Sequence, residues 1–117
     1  MKLKKITLLL ILTFICTISA YCESLSIMHW NIANAFDTIE EPKKNDSVLS
    51  PEEYNDKMSL TAGIIKKHMT DIVTLCEVEN INVLQDLATR CGYEYFYLIE
   101  GNDPRGIDVA IMSVYEM

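Results

Sequence analysis

Two carboxylates one residue apart close the run Asp71-Ile72-Val73-Thr74-Leu75-Cys76-Glu77-Val78-Glu79-Asn80. An apolar run led in by Asp71 reads as a buried strand that delivers Glu77 and Glu79 to its C-terminal edge. That edge is where open α/β sheets place ligands. Two other stretches carry groups suited to chemistry: Trp30-Asn31-Ile32-Ala33-Asn34-Ala35-Phe36-Asp37, and Asp103-Pro104-Arg105-Gly106-Ile107-Asp108-Val109-Ala110. Arg105 presents a fork of donors that suits a substrate phosphate, and equally suits an ion pair with Asp103 or Asp108. Each remaining polar group also has a plain structural use. Asn34 and Asp37 read as turn formers, Glu79 as a surface or loop-orienting residue, and Asp108 as facing the opposite side of its strand from Ile107 and Val109. Trp30 reads as core packing, and His29 as a packed or surface histidine.

The elements that must position these groups alternate in type. Ser24–Ile32 is an apolar-rich strand candidate, followed by a polar, acidic loop over residues 34–49. Ser50-Pro51-Glu52-Glu53 is a helix start, with Ser50 as N-cap, Pro51 at the first helical position and Glu53 completing a capping box. The helix runs to about His68, with Tyr54, Met58, Thr61, Ala62, Ile65 and Met69 on its packing face and Lys66, Lys67 and His68 at the negative end of its dipole. After the strand at 71–78, Asn80 or Asn82 caps a second helix whose apolar positions Val83, Leu84, Leu87, Ala88 and Cys91 keep helical spacing, with Gly92 as the stop. Residues 93–99 and 107–114 are two further strands, and the glycine-flanked loop between them favours antiparallel pairing. The expected fold is therefore α/β, a mixed sheet with two helices.

Residues 1–22 have a cationic start and an apolar core of about thirteen residues, the pattern of a secretory signal peptide. The run falls short of the roughly twenty apolar residues a spanning helix needs. Cleavage after Ala20 or Cys22 leaves residues 23–117 as a secreted or periplasmic chain without a stable membrane span. An uncleaved anchor, or lipidation at Cys16 or Cys22, is the competing outcome. Cleavage removes Lys2, Lys4 and Lys5 and no acidic residue, leaving 7 Lys and Arg against 17 Asp and Glu and moving the formal net charge from −7 to −10. Such a surface repels phosphate backbones and argues against a passive nucleic-acid binder. Two cysteines remain, Cys76 in a strand and Cys91 at a helix end. Two free buried thiols fit that placement at least as well as a disulfide, and neither has the spacing of a metal ligand.

Taken in order and spacing, the three chemistry-bearing stretches resemble the N-terminal part of the endonuclease/exonuclease/phosphatase superfamily, which includes DNase-I-like nucleases. Tyr54, Lys57 and Asp71 also stand where that family has them. The resemblance implies the first part of a four-layer α/β/β/α DNase-I-like fold. It further implies that Asn31 is an active-site residue holding the scissile phosphate and its neighbours, and that Glu77 binds Mg²⁺ (or Mn²⁺). Hard oxygen ligands and retained waters are what Mg²⁺ prefers, so one strand-end carboxylate plus substrate oxygens is a workable shell. The implied substrate is a phosphoester, with nucleic acid one candidate.

Departures from the family pattern shape the expectation. Ala33 stands where many relatives carry a carboxylate, and Cys76 replaces a Gln whose amide hydrogen bonds a thiol cannot reproduce. The Asp-x-Asn and Asp-His segments that complete acid–base chemistry in the family do not occur in the 117 residues. A truncated, catalytically incomplete phosphoesterase is therefore expected, the alternatives being a noncatalytic interaction module or one half of a split enzyme. An unfinished sheet would leave apolar surface around residues 93–114 open to a protein partner over an exposed edge.

Overall fold

The computed structural model describes residues 24–117, so the leader expected at 1–22 lies outside the described residues. The elements are β1 (Ile27–Ala35), α1 (Pro51–His68), β2 (Ile72–Val78), α2 (Ile81–Cys91), β3 (Tyr95–Ile99) and β4 (Asp108–Ser113). They form one four-stranded sheet in the order β1-β2-β4-β3. β1 and β2 are parallel, as a connection through α1 permits, whereas β4 pairs antiparallel with both β2 and β3. The expected mixed sheet with two helices is what forms, and the last two strands are a hairpin that docks through β4.

Alternation along the strands decides where the core lies. Trp30 and Ile32 of β1, Val73 and Leu75 of β2, Phe96 and Leu98 of β3, and Ala110 and Met112 of β4 join one cluster with α1 and α2. α1 contributes Met58, Ala62 and Ile65, and α2 contributes Val83, Leu84, Leu87 and Ala88. The opposite face carries His29, Thr74, Cys76, Tyr97, Ile99, Val109 and Ile111, which together line a shallow concavity. Tyr97 and Ile99 on that face are 63% and 56% exposed. Among the described residues the helices cover one side of the sheet, and no helix is long and apolar enough to cross a membrane.

Both helices begin as their sequences dictate. The Ser50 side chain accepts from Glu53 N at 3.2 Å while the Glu53 carboxylate accepts from Ser50 N at 2.8 Å, which completes the capping box. At α2 it is Asn80, not Asn82, that caps, accepting from Asn82 N and Val83 N. Gly92 ends that helix at φ +82°, a conformation that costs glycine little.

Two expectations need correction. Met69 does not pack: it is the α1 C-cap, left-handed at φ +46° and 84% exposed, because the helix ends before the 3.6-residue spacing can bring it round to the core. β1 runs three residues later at each end than expected. Ser26 is occupied instead in tying the start of β2, donating from its N–H and its hydroxyl to Asp71 at 2.7 and 2.6 Å. At the far end Ala35 regains pairing with Val78 after an irregular stretch. Cys76 and Cys91 are free and half-buried, and burial pushes the Cys91 thiol up to about 11, against the pull of Lys66.

Leu84 is fully buried between α2 and the sheet, whereas Leu60 on α1 is 67% exposed. Leu84→Ala is expected to lower stability by about 3 kcal/mol through lost transfer energy and a cavity. Leu60→Ala should stay within about 0.5 kcal/mol, the range of surface substitutions. Urea unfolding of the two variants checks the assignment of the core face.

Candidate active site

Three non-glycine residues in left-handed conformation meet at the C-terminal edge of β1 and β2: Ala33 (φ +55°), Asn34 (φ +56°) and Glu77 (φ +68°). Asn visits this region readily, but Ala and Glu hold it at a cost of about 1–3 kcal/mol each. Both strands are out of register here. β1 loses its ladder to β2 between Asn31 and Ala35, and β2 slips against β4 between Cys76 and Val78, so Glu77 is the extra residue of a bulge. The effect is to turn the Glu77 carboxylate toward β1. Its Oε1 accepts from Asn31 Nδ2 at 2.9 Å and its Oε2 accepts from the backbone N–H of Asn34 at 2.9 Å. Asn31 is fixed in turn, its Oδ1 accepting from Ala33 N at 2.9 Å. The Asn31 amide, with help from the Asn34 N–H and the Arg105 charge, holds the Glu77 carboxyl below the usual carboxylate range. Glu77 is therefore anionic at neutral pH.

The loop before β4 brings the cation. Arg105 grips Asp103 with a fork, Nε to Oδ1 at 3.0 Å and Nη2 to Oδ2 at 2.9 Å, and its Nη1 donates to Asn34 Oδ1 at 3.3 Å. Two of its five N–H donors remain without a protein partner among the described residues. Gly106 makes the turn possible: at φ +72° it lies under the Lys44 chain, and a Cβ there would come within 2.4 Å of Lys44 Cδ. Asp108 is buried and accepts from Gly101 N at 2.6 Å, which closes the loop rather than pairing with Arg105. The result is an open cleft of about 300 Å³ lined by Cys76, Glu77, Ile99, Asp103, Arg105 and Asp108 among others.

Glu79 is not at the surface. It is 1% exposed, with Oε2 accepting from Asp37 N and Oε1 without a hydrogen-bond partner. Asp37 in turn accepts from Asn80 Nδ2 and, in its own turn, from Ile39 N. Glu79 thus orients the loop after β1 from inside. Burial, joined by the negative charges of Asp37 and Asp46, pushes its carboxyl up to about 7 against the stabilising Asp37 N–H.

Of the three residues singled out from sequence, Asn31 and Glu77 are hydrogen-bonded to each other and Arg105 shares the cleft with Glu77. His29 bonds Thr74 across the sheet at 2.8 Å, and Trp30 packs half-buried on the core. The Asn34 backbone N–H is not legible from sequence, and Lys57, which the family resemblance places without assigning it a role, donates from Nζ to the carbonyls of Ile32 and Ala33. A left-handed Ala has no sequence signature, and a helical lysine is ordinarily solvated.

The donor set is one carboxylate with lone pairs to spare and an open cleft beside it. Among the described residues no group of three or more His, Cys, Asp or Glu side chains surrounds a common point. So small a set among the described residues fits Mg²⁺, which is held by one or two carboxylates and otherwise by waters and substrate oxygens. A family model described as Endonuclease/Exonuclease/phosphatase family matches residues 26–117, the span that contains every group named above. No curated protein and no solved structure matches the chain.

Glu79 generates a pH dependence with a definite sign. Its folded pKa of about 7 lies above its ordinary 4.5, so between those values the native state binds more protons than the unfolded one. The contribution is fully present below about pH 4.5 and is lost as pH rises through 7, a loss of about 3 kcal/mol at most. Urea unfolding at pH 5 and pH 8 should show this fall in the native protein, and Glu79→Gln should flatten it.

Proposed function

The chain belongs to the endonuclease/exonuclease/phosphatase family, and from that premise we propose that it carries the cation- and phosphate-holding part of a phosphoester hydrolase. The observation that carries this reading is the anionic Glu77 at the end of β2, held by Asn31 and Asn34 in the same cleft as Arg105. In this reading Glu77 is the protein ligand of Mg²⁺ or Mn²⁺. Such an ion, when bound, polarises a phosphoryl oxygen and offsets the charge that develops there. Asn31 keeps the carboxylate aimed and adds polar contact to the phosphate. Arg105 offers its two remaining donors to a phosphate oxygen while Asp103 keeps the guanidinium in place. The general acid and base come from outside residues 1–117, because neither an Asp-x-Asn nor an Asp-His segment occurs within them.

The substrate is a phosphodiester or phosphomonoester. With a net charge near −10 after removal of the leader, a small or metal-bridged phosphoester fits better than a long nucleic acid tracked through basic contacts. Export through residues 1–22 puts the site in a secreted or periplasmic setting in this reading.

One observation favours a second reading, an interaction module or half of a split enzyme. Tyr97, Ile99 and Val109 form an exposed apolar face on the side of the sheet away from the helices, contiguous with the cleft through Ile99 and Val109. Such a face suits a covering partner.

With Mg²⁺ and either bis(p-nitrophenyl) phosphate or p-nitrophenyl phosphate, the purified 117-residue chain is expected to release no nitrophenol above the metal-only control. Turnover that Glu77→Ala abolishes would overturn the claim that the acid–base groups lie elsewhere. Restoration of turnover by a second polypeptide carrying the Asp-x-Asn and Asp-His segments, lost again with Glu77→Ala, is the outcome the split-enzyme reading requires.

A further inference from the structure

Resting on that reading of Glu77, we propose that Lys57 is the positioning residue that sets the cation-holding carboxylate. It acts by clamping the left-handed turn of β1.

That turn is strained. Ala33 and Asn34 stand consecutively at φ near +55°, and the pairing of β1 with β2 is interrupted between Asn31 and Ala35. An interruption of this kind frees backbone carbonyls from the ladder, and a freed carbonyl must find another donor. Lys57 supplies it. From the middle of α1 its ammonium donates to the carbonyl of Ile32 and to that of Ala33, the latter at 2.9 Å. Thr61 one turn on is back-bonded to Lys57 O at 2.8 Å and buried, so the helix that carries the lysine is fixed against the sheet. A charge-assisted pair of bonds to two successive carbonyls favours one orientation of the intervening peptide planes. That orientation is the one in which the Asn34 N–H points at Glu77 Oε2 and the Asn34 side chain meets Arg105. Lys57 touches neither Glu77 nor Arg105 through a hydrogen bond, and its effect on both passes through the backbone of residues 32–34.

The sign of its effect on a cation separates this role from simple electrostatics. A lysine near a Mg²⁺ or Mn²⁺ site repels the ion, so neutralising it should strengthen binding if charge alone matters. Positioning predicts the reverse, because a slackened turn withdraws the N–H that aims Glu77. The experiment uses the full chain and three forms: native, Lys57→Met, which keeps most of the aliphatic stem, and Lys57→Arg, which restores a cationic donor. In native-state amide exchange, Lys57→Met should speed exchange at Asn34 by about tenfold or more, the loss of a charged hydrogen bond, while Val73 and Leu75 in β2 keep their protection. In calorimetric titration with Mn²⁺ alone, the same variant should bind about tenfold more weakly, the usual effect of removing a group that orients a ligand. Lys57→Arg should recover at least part of both. Unchanged Asn34 exchange, a uniform loss of protection through the core, or tighter Mn²⁺ binding by Lys57→Met would each overturn the proposal. If the native chain takes up no Mn²⁺ that Glu77→Gln removes, the cation reading of Glu77 itself fails, and the Asn34 exchange result then decides the clamp on its own.

Discussion

The Glu77 carboxylate is gripped from β1 on both of its oxygens, by the Asn31 side chain and by the Asn34 backbone N–H. This grip can form only because β2 bulges at Glu77 and β1 turns left-handed at Ala33 and Asn34. Local strain is therefore concentrated where two parallel strands end, at the edge of the sheet where α/β proteins place ligands. The grip also defines the site's charge. Polar N–H groups and the guanidinium keep Glu77 ionised, while two residues further on Glu79, buried and flanked by Asp37 and Asp46, has its carboxyl pushed up to about 7. Two carboxylates separated by one residue thus have opposite tasks, one facing the cleft and one organising the loop beneath it.

Everything else in the fold can be understood as support for that edge. The helices bury one face of the sheet, and α1 reaches back to the strained turn through Lys57. The Asn80 cap of α2 shares Asp37 with Glu79, so the start of that helix, the end of β2 and the loop after β1 form one hydrogen-bonded knot. The hairpin of β3 and β4 delivers Arg105 against Asn34 through a loop closed by Asp108 and seated on Gly106. Chain segments far apart in sequence converge on one cleft, and each is anchored by a bond to backbone.

Much of this could be read from the sequence, for identifiable reasons. The capping box at Ser50 and Glu53, a cap at Asn80 or Asn82 and the Gly92 stop obey local rules, so both helices are legible, with the choice of Asn80 left to the structure. The helical spacing of α1 and α2 marked their packing faces, and the three stretches holding Asn31, Glu77 and Arg105 resemble the family whose model matches residues 26–117. What escaped was tertiary. Met69 had the right periodicity but fell one residue past the end of its helix. Of the two uses open to Glu79, surface acid or loop-orienting residue, the structure takes the second, and nothing local reveals that the side chain turns inward under Asp37 to do it. The extension of β1 to Ala35 depends on a bulge, and neither Ala33 nor Glu77 belongs to the residue types that announce a left-handed turn.

Glu77, as held by Asn31 and Asn34, is proposed to anchor a divalent cation beside Arg105. Paramagnetic broadening of the amide spectrum by substoichiometric Mn²⁺ tests it most directly, because broadening reports where the ion sits irrespective of turnover. The signals of Asn31, Asn34, Glu77 and Arg105 are expected to broaden first, and Glu77→Gln to leave them sharp while the fold stays intact. Broadening centred instead on the acidic loop at Glu40, Glu41 and Asp46, and unchanged by Glu77→Gln, would contradict it.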